Sequence, residues 1–312
     1  MGSGDKEPGD QEPDNSIGRR RFLKSILGLK VAEKAIAPAT AKPAAPKFFW
    51  ADLKTGQVGF PTGLALGSGM PGSVMKLVAA AALAECGLVN PNHTIDCMGH
   101  ITRNHETFHC QHPHGHVDLT HAIAKSCSVF FVTACEKLTS KTFLEYAQKF
   151  GLDAAVAGRP SGPFPEQAHM PSYVYALGLS PDMQPNALQL LRLAAIVATT
   201  GDVPYLHSAE EAAEGDRFSL QLKEATWHRL QQGMQLCCND GGTAAMLDPE
   251  HKMHIAAKTG TVPDGNKFQS WIVGYFPYDN PKHAFCLNSL LGTSHEAAVP
   301  QAHKFLFATT WP

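Results

Sequence analysis

Ser73 and Lys76 place a hydroxyl and an amine three residues apart in a stretch, residues 71–87, whose other side chains are almost all apolar. Ala and Leu dominate it, and both favour helix. Gly87 sits where a left-handed C-terminal cap belongs. A helix that is apolar on nearly every side is a buried one. At this spacing both polar side chains leave one face of the first turn. Burial disfavours the ammonium, so the amine can be neutral and serve as a base beside a nucleophile. Free N–H groups and the positive end of the helix dipole favour the negative charge such a reaction develops. The plain alternative is a capping Ser and a Lys that reaches back to water. Ser3 and Lys6 repeat the spacing in a polar tail, so the pair alone does not decide the matter.

Two later clusters join it. Ser126 and Ser128 flank Cys127, and Lys258-Thr259-Gly260 runs into Thr261 on a strand-like run. A Lys at a sheet edge can hold a carboxylate, and backbone N–H groups there can face an oxyanion. Lys54-Thr55-Gly56 is a second copy of the last motif, but it precedes Ser73 and reads as an ordinary turn.

The elements that must position these groups follow from the hydrophobic pattern. Residues 48–53 read as a strand, 54–57 as a turn, and Val58 opens a return strand. Residues 90–120 show no clear periodicity. Asp118 or Thr120 can cap a second helix towards Ser126. Helices are expected at 130–138, 141–150, 186–199 and 222–237, with a Pro/Gly-rich loop at 158–172 and an acidic loop at 208–216. The last third changes period, with strands at 268–276 and 284–291 around a turn at 278–281, then a closing helix at 297–308. Strands at both chain ends and helices between them predict an α+β fold: an antiparallel sheet built from N- and C-terminal strands, with a helical subdomain. Trp271, Phe276 and Phe285 are expected in the sheet core, and Asp264 and Lys267 in a solvated turn. Tyr173 and Tyr175 are candidates to line a cleft.

Eight of the sixteen His residues fall between His93 and His121, and Cys97, Cys110 and Cys127 lie in or just after that region. Thiolate and imidazole are zinc ligands. A structural site from Cys97, Cys110, His114 or His116, and Cys127 would pin an irregular loop beside Ser126. A Cys97–Cys110 disulfide, or unpaired buried thiols with surface His, are the alternatives. Cys237 and Cys238 are adjacent on a helix and read as core.

Ser-x-x-Lys, Ser-x-Ser and Lys-Thr-Gly, in this order, resemble the serine acyltransferases of the penicillin-binding and β-lactamase type. The chain is similar to the transpeptidase domain of penicillin-binding proteins, closest to the monofunctional class B type, over about residues 50–307. The resemblance runs through residues 52–58, Pro71 to Lys76, residues 97–128, 176–190, Gly233-Met234, residues 242–244 and 271–275. It implies that Ser73 attacks a D-Ala-D-Ala stem peptide, that Lys76 takes its proton, and that Ser126 relays a proton to the leaving amine. It implies that Lys258, Thr259 and Thr261 bind the terminal carboxylate, with Gly260 between them. Backbone N–H groups of Ser73 and Thr261 would form the oxyanion hole, and β-lactams would acylate Ser73. No cofactor is required for that chemistry. An acceptor amine gives cross-linking; water gives carboxypeptidase or β-lactamase activity. No carboxylate is placed as a deacylating base, and Glu145, Asp182 and Glu296 have no motif support, which favours transfer. A β-lactamase or β-lactam-responsive relative, and a non-catalytic peptidoglycan- or partner-binding module, are the other readings. Two departures stand out. Ser128 replaces the family's usual Asn and has fewer donors. The segment between Val58 and Pro71 is much shorter than the family's, and no room is expected for the family's N-terminal pedestal or a glycosyltransferase domain.

The chain of 312 residues carries a formal net charge of -2, so it has no general attraction to nucleic acid. No apolar run reaches the length needed to span a bilayer. Residues 1–46 read as a tail: a polar start, a segment at 18–24 that looks like a twin-arginine export signal with Gly18 where Ser or Thr is usual, and an Ala/Pro linker at 35–46. Residues 47–312 form the transpeptidase-like domain. Export would place it in the periplasm or on the outer face of the cytoplasmic membrane, with peptidoglycan stem peptides, β-lactams and cell-wall assembly proteins as partners.

Overall fold

The computed structural model of the chain describes residues 47–60, 66–90 and 92–311. The expected tail, with its export-like segment and linker, lies outside the described residues.

Alternating apolar residues near the start and long apolar runs near the end pair with each other. Strand β1 (Lys47–Asp52) lies antiparallel to β11 (His283–Ser289), with Phe49 opposite Cys286 and Ala51 opposite Ala284. β2 (Val58–Gly59) returns on the outer side of β1, and the short β7 (Asp202–Val203) and β8 (Phe218–Ser219) pair with each other outside this sheet. β10 (Lys267–Phe276) pairs with β11, and β9 (Ala256–Asp264) forms the far edge, giving the order β2-β1-β11-β10-β9. The α+β expectation therefore holds, down to the joining of the two chain ends in one antiparallel sheet. Asp264 pairs with Lys267 at an exposed turn, and Trp271, Phe276 and Phe285 are buried.

Both faces of the sheet are covered, as long apolar strands require. One face packs on α8 (Val299–Ala308) through Phe48, Ile272, Phe285 and Leu287 against Val299, Ala302 and Leu306. The other packs on α6 (Ala187–Ala198), whose twelve residues are all buried. Asn186 starts α6 with a capping box completed by Gln189, so its first N–H groups are satisfied without water.

Behind the sheet lies α1 (Lys76–Glu85), buried from Lys76 to Leu83 and packed against α2 (Leu119–Ala124), α3 (Ser128–Cys135), α4 (Ser140–Lys149) and α7 (Glu224–Cys237). Asp118, one of the two expected caps, accepts the N–H of His121 and starts α2. None of the helices among the described residues is long and apolar enough to cross a membrane.

Three expectations need correction. Ser73 is not on the α-helix but on a 3₁₀ turn, Gly72–Met75, that leads into it. Residues 90–120 are not irregular: β3 (Ile95–Cys97) pairs with β6 (Gly115–Val117), and β4 (His100–Arg103) with β5 (Glu106–His109). Strands of three or four residues are too short to show a period of two in sequence. Tyr173 and Tyr175 lie on the short helix α5 (Ser172–Ala176) and are buried. Their hydroxyls engage Asn104 and Asp182, so they brace the helical subdomain.

Candidate active site

The nucleophile segment is fixed by backbone contacts that only glycine permits. Gly72 has a φ of 57°, and a Cβ there would stand 3.0 Å from the Thr261 nitrogen. A Cβ on Gly260 would stand 2.3 Å from the Pro71 carbonyl oxygen. Glycine at both positions lets the 3₁₀ turn lie directly on β9. The Gly72 N–H donates to the Gly178 carbonyl at 3.1 Å, and Trp271 Nε1 donates to the Met70 carbonyl at 3.1 Å. Half-buried Ser73 is thereby held at the seam between α1 and the edge strand.

Lys76 and Lys258 are both fully buried. Lys76 Nζ donates to the Ser126 carbonyl at 2.6 Å, to Ser128 Oγ at 3.3 Å and to Ser126 Oγ at 3.4 Å. Lys258 Nζ reaches Ser126 Oγ at 2.9 Å and its neighbour's carbonyl, that of Thr259, at 3.0 Å. Two amines from opposite elements thus converge on one hydroxyl. Burial pushes Lys76 down to about 8, against a smaller upward pull from the Cys110 and Cys127 sulfurs. Burial pushes Lys258 down to about 7, and the Lys76 charge adds to the effect. Ser126 itself holds a left-handed φ of 52°, uncommon for a residue with a side chain and frequent at functional sites.

The strand hydroxyls are anchored from outside. Thr259 Oγ1 is 2.7 Å from Thr243 Oγ1, which is 3.2 Å from Cys237 Sγ. Thr261 Oγ1 donates to Ser294 Oγ at 3.0 Å and accepts the Ser294 N–H at 2.9 Å. Thr243 and Ser294 were not among the candidate residues. They sit in a Gly-rich turn after α7 and at the turn before α8; residues 242–244 carry part of the family resemblance, but only the tertiary fold brings Thr243 and Ser294 to β9. Cys237, expected as inert core, is buried but touches this network.

The expected ligand cluster also assembles. The Sγ atoms of Cys97 and Cys110 are 3.7 Å apart, those of Cys110 and Cys127 are 3.9 Å apart, and Cys97 Sγ is 3.4 Å from His114 Nδ1. All four ligand atoms lie within 4.8 Å of one another. Zn–S bonds of about 2.3 Å give a tetrahedron with edges of about 3.8 Å, so the donor set and its spacing fit zinc. All three cysteines are free, so the disulfide alternative is not realised here. His116, the alternative fourth ligand, is instead exposed and paired with Asp96. Hydrogen bonding from Cys127 and His114 stabilises a thiolate on Cys110 and lowers its pKa, while Cys127 is raised as the proton's holder. The Ser128 N–H donates to Cys110 Sγ at 3.2 Å, which links this cluster to the hydroxyl that receives Lys76.

The carboxylates considered as deacylating bases are engaged elsewhere: Glu145 with Lys141, Asp182 with Tyr175 and Ser180, and Glu296 in the cap at Thr293.

The match that decides the family covers residues 63–305, which correspond to the "Penicillin binding protein transpeptidase domain". The chain belongs to this family. No curated protein matches it in sequence. Among solved structures, penicillin-binding protein 2 of Pseudomonas aeruginosa is similar at 21% identity and a TM-score of 0.73, with 84% of this chain and 70% of that one covered. The transpeptidase domain of Burkholderia pseudomallei penicillin-binding protein 3 gives 17% identity and a TM-score of 0.70 over 83% and 84%. Helicobacter pylori penicillin-binding protein 2, solved as a complex with MreC, gives 19% and 0.69 over 84% and 60%. At these identities the likeness is one of fold.

Proposed function

We propose that this transpeptidase-family domain is a serine D,D-acyltransferase that cross-links peptidoglycan stem peptides. The observation that carries the reading is the convergence of Lys76 Nζ and Lys258 Nζ on Ser126 Oγ, at 3.4 and 2.9 Å, beside the turn that bears Ser73. A neutral Lys76 takes the Ser73 proton as Oγ attacks the penultimate D-Ala carbonyl. The N–H groups of Ser73 and Thr261 face the developing oxyanion. Ser126, between the two amines, passes a proton to the departing D-Ala amine. Lys258, Thr259 and Thr261 hold the terminal carboxylate. Ser128 stands in for the usual Asn as an acceptor for Lys76. An acceptor amine then attacks the Ser73 ester. The engagement of Glu145, Asp182 and Glu296 supports transfer over rapid hydrolysis, and so disfavours a β-lactamase. Fluorescent penicillin tests the reading: wild type should carry one label and Ser73→Ala none, by gel and by intact mass. An unlabelled wild type, or equal labelling of the two, overturns it.

Cys97, Cys110, His114 and Cys127 would hold a structural zinc. The ion supplies no step of the reaction; its ligands pin the β3–β6 loops and, through the Ser128 N–H on Cys110, the Ser126–Ser128 segment. The substrate lies outside the cytoplasmic membrane, so we place the domain in the periplasm or on the membrane's outer face, directed there by the segment at 18–24. Cell-wall assembly proteins are its expected class of partner.

A further inference from the structure

Three cysteines that take no part in the acyl-transfer chemistry lie close enough to react with one another. Cys110 Sγ is 3.7 Å from Cys97 Sγ and 3.9 Å from Cys127 Sγ, and all three are free thiols. Cys97 and Cys127 are fully buried, whereas Cys110 is half-buried, so Cys110 carries the sulfur that solvent reaches. The backbone already joins Cys110 to the segment that bears Cys97: the Cys110 N–H donates to the Gly99 carbonyl at 2.8 Å, and the His114 N–H donates to the Cys97 carbonyl at 3.1 Å. A disulfide of about 2.05 Å between two sulfurs already in contact there asks for side-chain rotation rather than rearrangement of the chain. Cys127 is the less available partner, because its Sγ accepts the Phe130 N–H at 3.4 Å and caps α3.

The same sulfur is joined to the active site by two hydrogen bonds. The Ser128 N–H donates to Cys110 Sγ at 3.2 Å, and Ser128 Oγ accepts from Lys76 Nζ at 3.3 Å. A disulfide sulfur carries no charge and is a poor acceptor. Drawn towards Cys97, it leaves the Ser128 N–H without its partner at the start of α3, where free N–H groups need one. The segment that receives Lys76 then loses its tie to the loop. Oxidation also removes two of the four donors of the proposed zinc, leaving Cys127 and His114.

We propose that Cys110 and Cys97 form a thiol-oxidation site for peroxides, and that the disulfide made there slows acylation of Ser73. For its effect on acylation the inference rests on the acyltransferase reading above; for the bond itself it does not. With hydrogen peroxide, the Cys110 sulfur attacks one oxygen, the O–O bond breaks, and water leaves a sulfenic acid behind. The Cys97 sulfur then attacks the Cys110 sulfur, the S–S bond forms, the S–O bond breaks, and a second water departs. The two sulfurs lose two electrons, the peroxide gains them, and the two thiol protons leave in the waters. A dithiol reverses the bond by exchange. The proposed place of the domain, outside the cytoplasmic membrane, is one where disulfides persist.

The test treats the full reduced chain, incubated with zinc, with hydrogen peroxide and then alkylates the remaining thiols. Peptide mass mapping should find Cys97 joined to Cys110 and Cys127 alkylated, and a chromogenic chelator should report zinc released in step with the bridge. Acylation by fluorescent penicillin should fall about 10–100-fold, the range in which supporting groups of metal sites act, and should return with dithiothreitol and zinc. Cys86, the exposed thiol after α1, is the internal comparison, and Cys86→Ser should leave both the bridge and the inhibition unchanged. Cys97 and Cys110 still alkylated once Cys86 is oxidised, a bridge from Cys110 to Cys127 instead, or a complete bridge with acylation unmoved each overturns the proposal and leaves the acyltransferase reading standing. A reduced chain that does not acylate overturns that reading, while the peptide map still reports whether the bridge forms.

Discussion

The seam between α1 and β9 and the loop that leans over it hold polar groups by opposite means. At the seam, the stems of Lys76 and Lys258 are enclosed by buried packing: α1 is buried along its first eight residues, and the 3₁₀ turn that leads into it lies on β9 through two glycines. Stability there comes from the hydrophobic core, and the reactive state of the amines is a by-product of their removal from water. Over residues 95–117 the chain forms four strands of three or four residues each, with few buried side chains. Such a segment cannot fix its own shape by burial. On the proposed reading its order would depend on a zinc held by Cys97, Cys110, His114 and Cys127, whose ligand atoms lie within 4.8 Å of one another. The two regions meet at Ser126–Ser128, where an amine from the seam and a sulfur from the loop bind neighbouring atoms. The comparison teaches that one part of the site tolerates loss of a polar group and the other does not.

The largest effect should follow from Lys76→Met. The substitution removes a buried ammonium and leaves an apolar side chain of similar length on an otherwise apolar helix, so the thermal midpoint should hold or rise. Acylation of Ser73 by penicillin should fall about 10²–10⁴-fold, the usual contribution of a general base. Stopped-flow acylation beside calorimetry checks both halves. A variant that unfolds, or one that acylates normally, breaks the contrast at its seam side.

The pH dependence comes next in size. Lys76 titrates near 8 and Lys258 near 7, and both face Ser126, so the protons belong to the pair. Acylation needs one amine neutral as the base and the other charged for the carboxylate. The second-order acylation rate should therefore rise with pH as the first proton leaves near 7 and fall as the second leaves near 8. Outside that window each limb changes about ten-fold per pH unit. Lys258→Arg keeps a permanent charge and should remove the falling limb, which a pH series on the variant would reveal.

Removal of the proposed zinc should act on the other side of the comparison. Chelation, or Cys110→Ser, should lower acylation about 10–100-fold, the range in which supporting groups of metal sites act. Amide exchange should accelerate in β3–β6 and at Ser126–Ser128, while β9–β11 stay protected. Elemental analysis of the purified protein should find about one zinc per chain. Uniform exchange behaviour would mean that the loop is held by packing after all.

The contrast also explains how much was legible in the sequence. The α1 stretch and the sheet strands declare themselves because burial writes long apolar runs, and the Ser73, Lys76 and Lys258 positions stand out as the few polar residues within them. The ligand residues were legible by type, since Cys97, Cys110 and Cys127 with a local His are unusual in any loop. The choice of His114 over His116 was not. One residue in a three-residue strand decides which way a side chain points, and β6 turns His116 out to Asp96. Tyr173 and Tyr175 looked like cleft aromatics because their partners, Asn104 and Asp182, are too distant or too ordinary to be read as hydrogen-bonding mates. The roles of Thr243 and Ser294 were not legible, because each rests on a contact with β9 that only the fold creates.

Thr243 offers the finest test of that last point. Its hydroxyl is 2.7 Å from that of Thr259 and 3.2 Å from Cys237 Sγ, so it sets which way the Thr259 hydroxyl faces. Thr243→Val keeps the shape and removes the bond. A neutral hydrogen bond contributes little net energy, so the expected loss is about two- to ten-fold. It should fall on KM for a carboxylate-bearing ester substrate, with kcat nearly unchanged, because on the proposed reading Thr259 holds the carboxylate and not the reacting carbon. Thr243→Ser should restore wild-type KM. A loss confined to kcat would mean instead that Thr243 acts on the Ser126 relay, and that the strand hydroxyls are not where the substrate's charge is held.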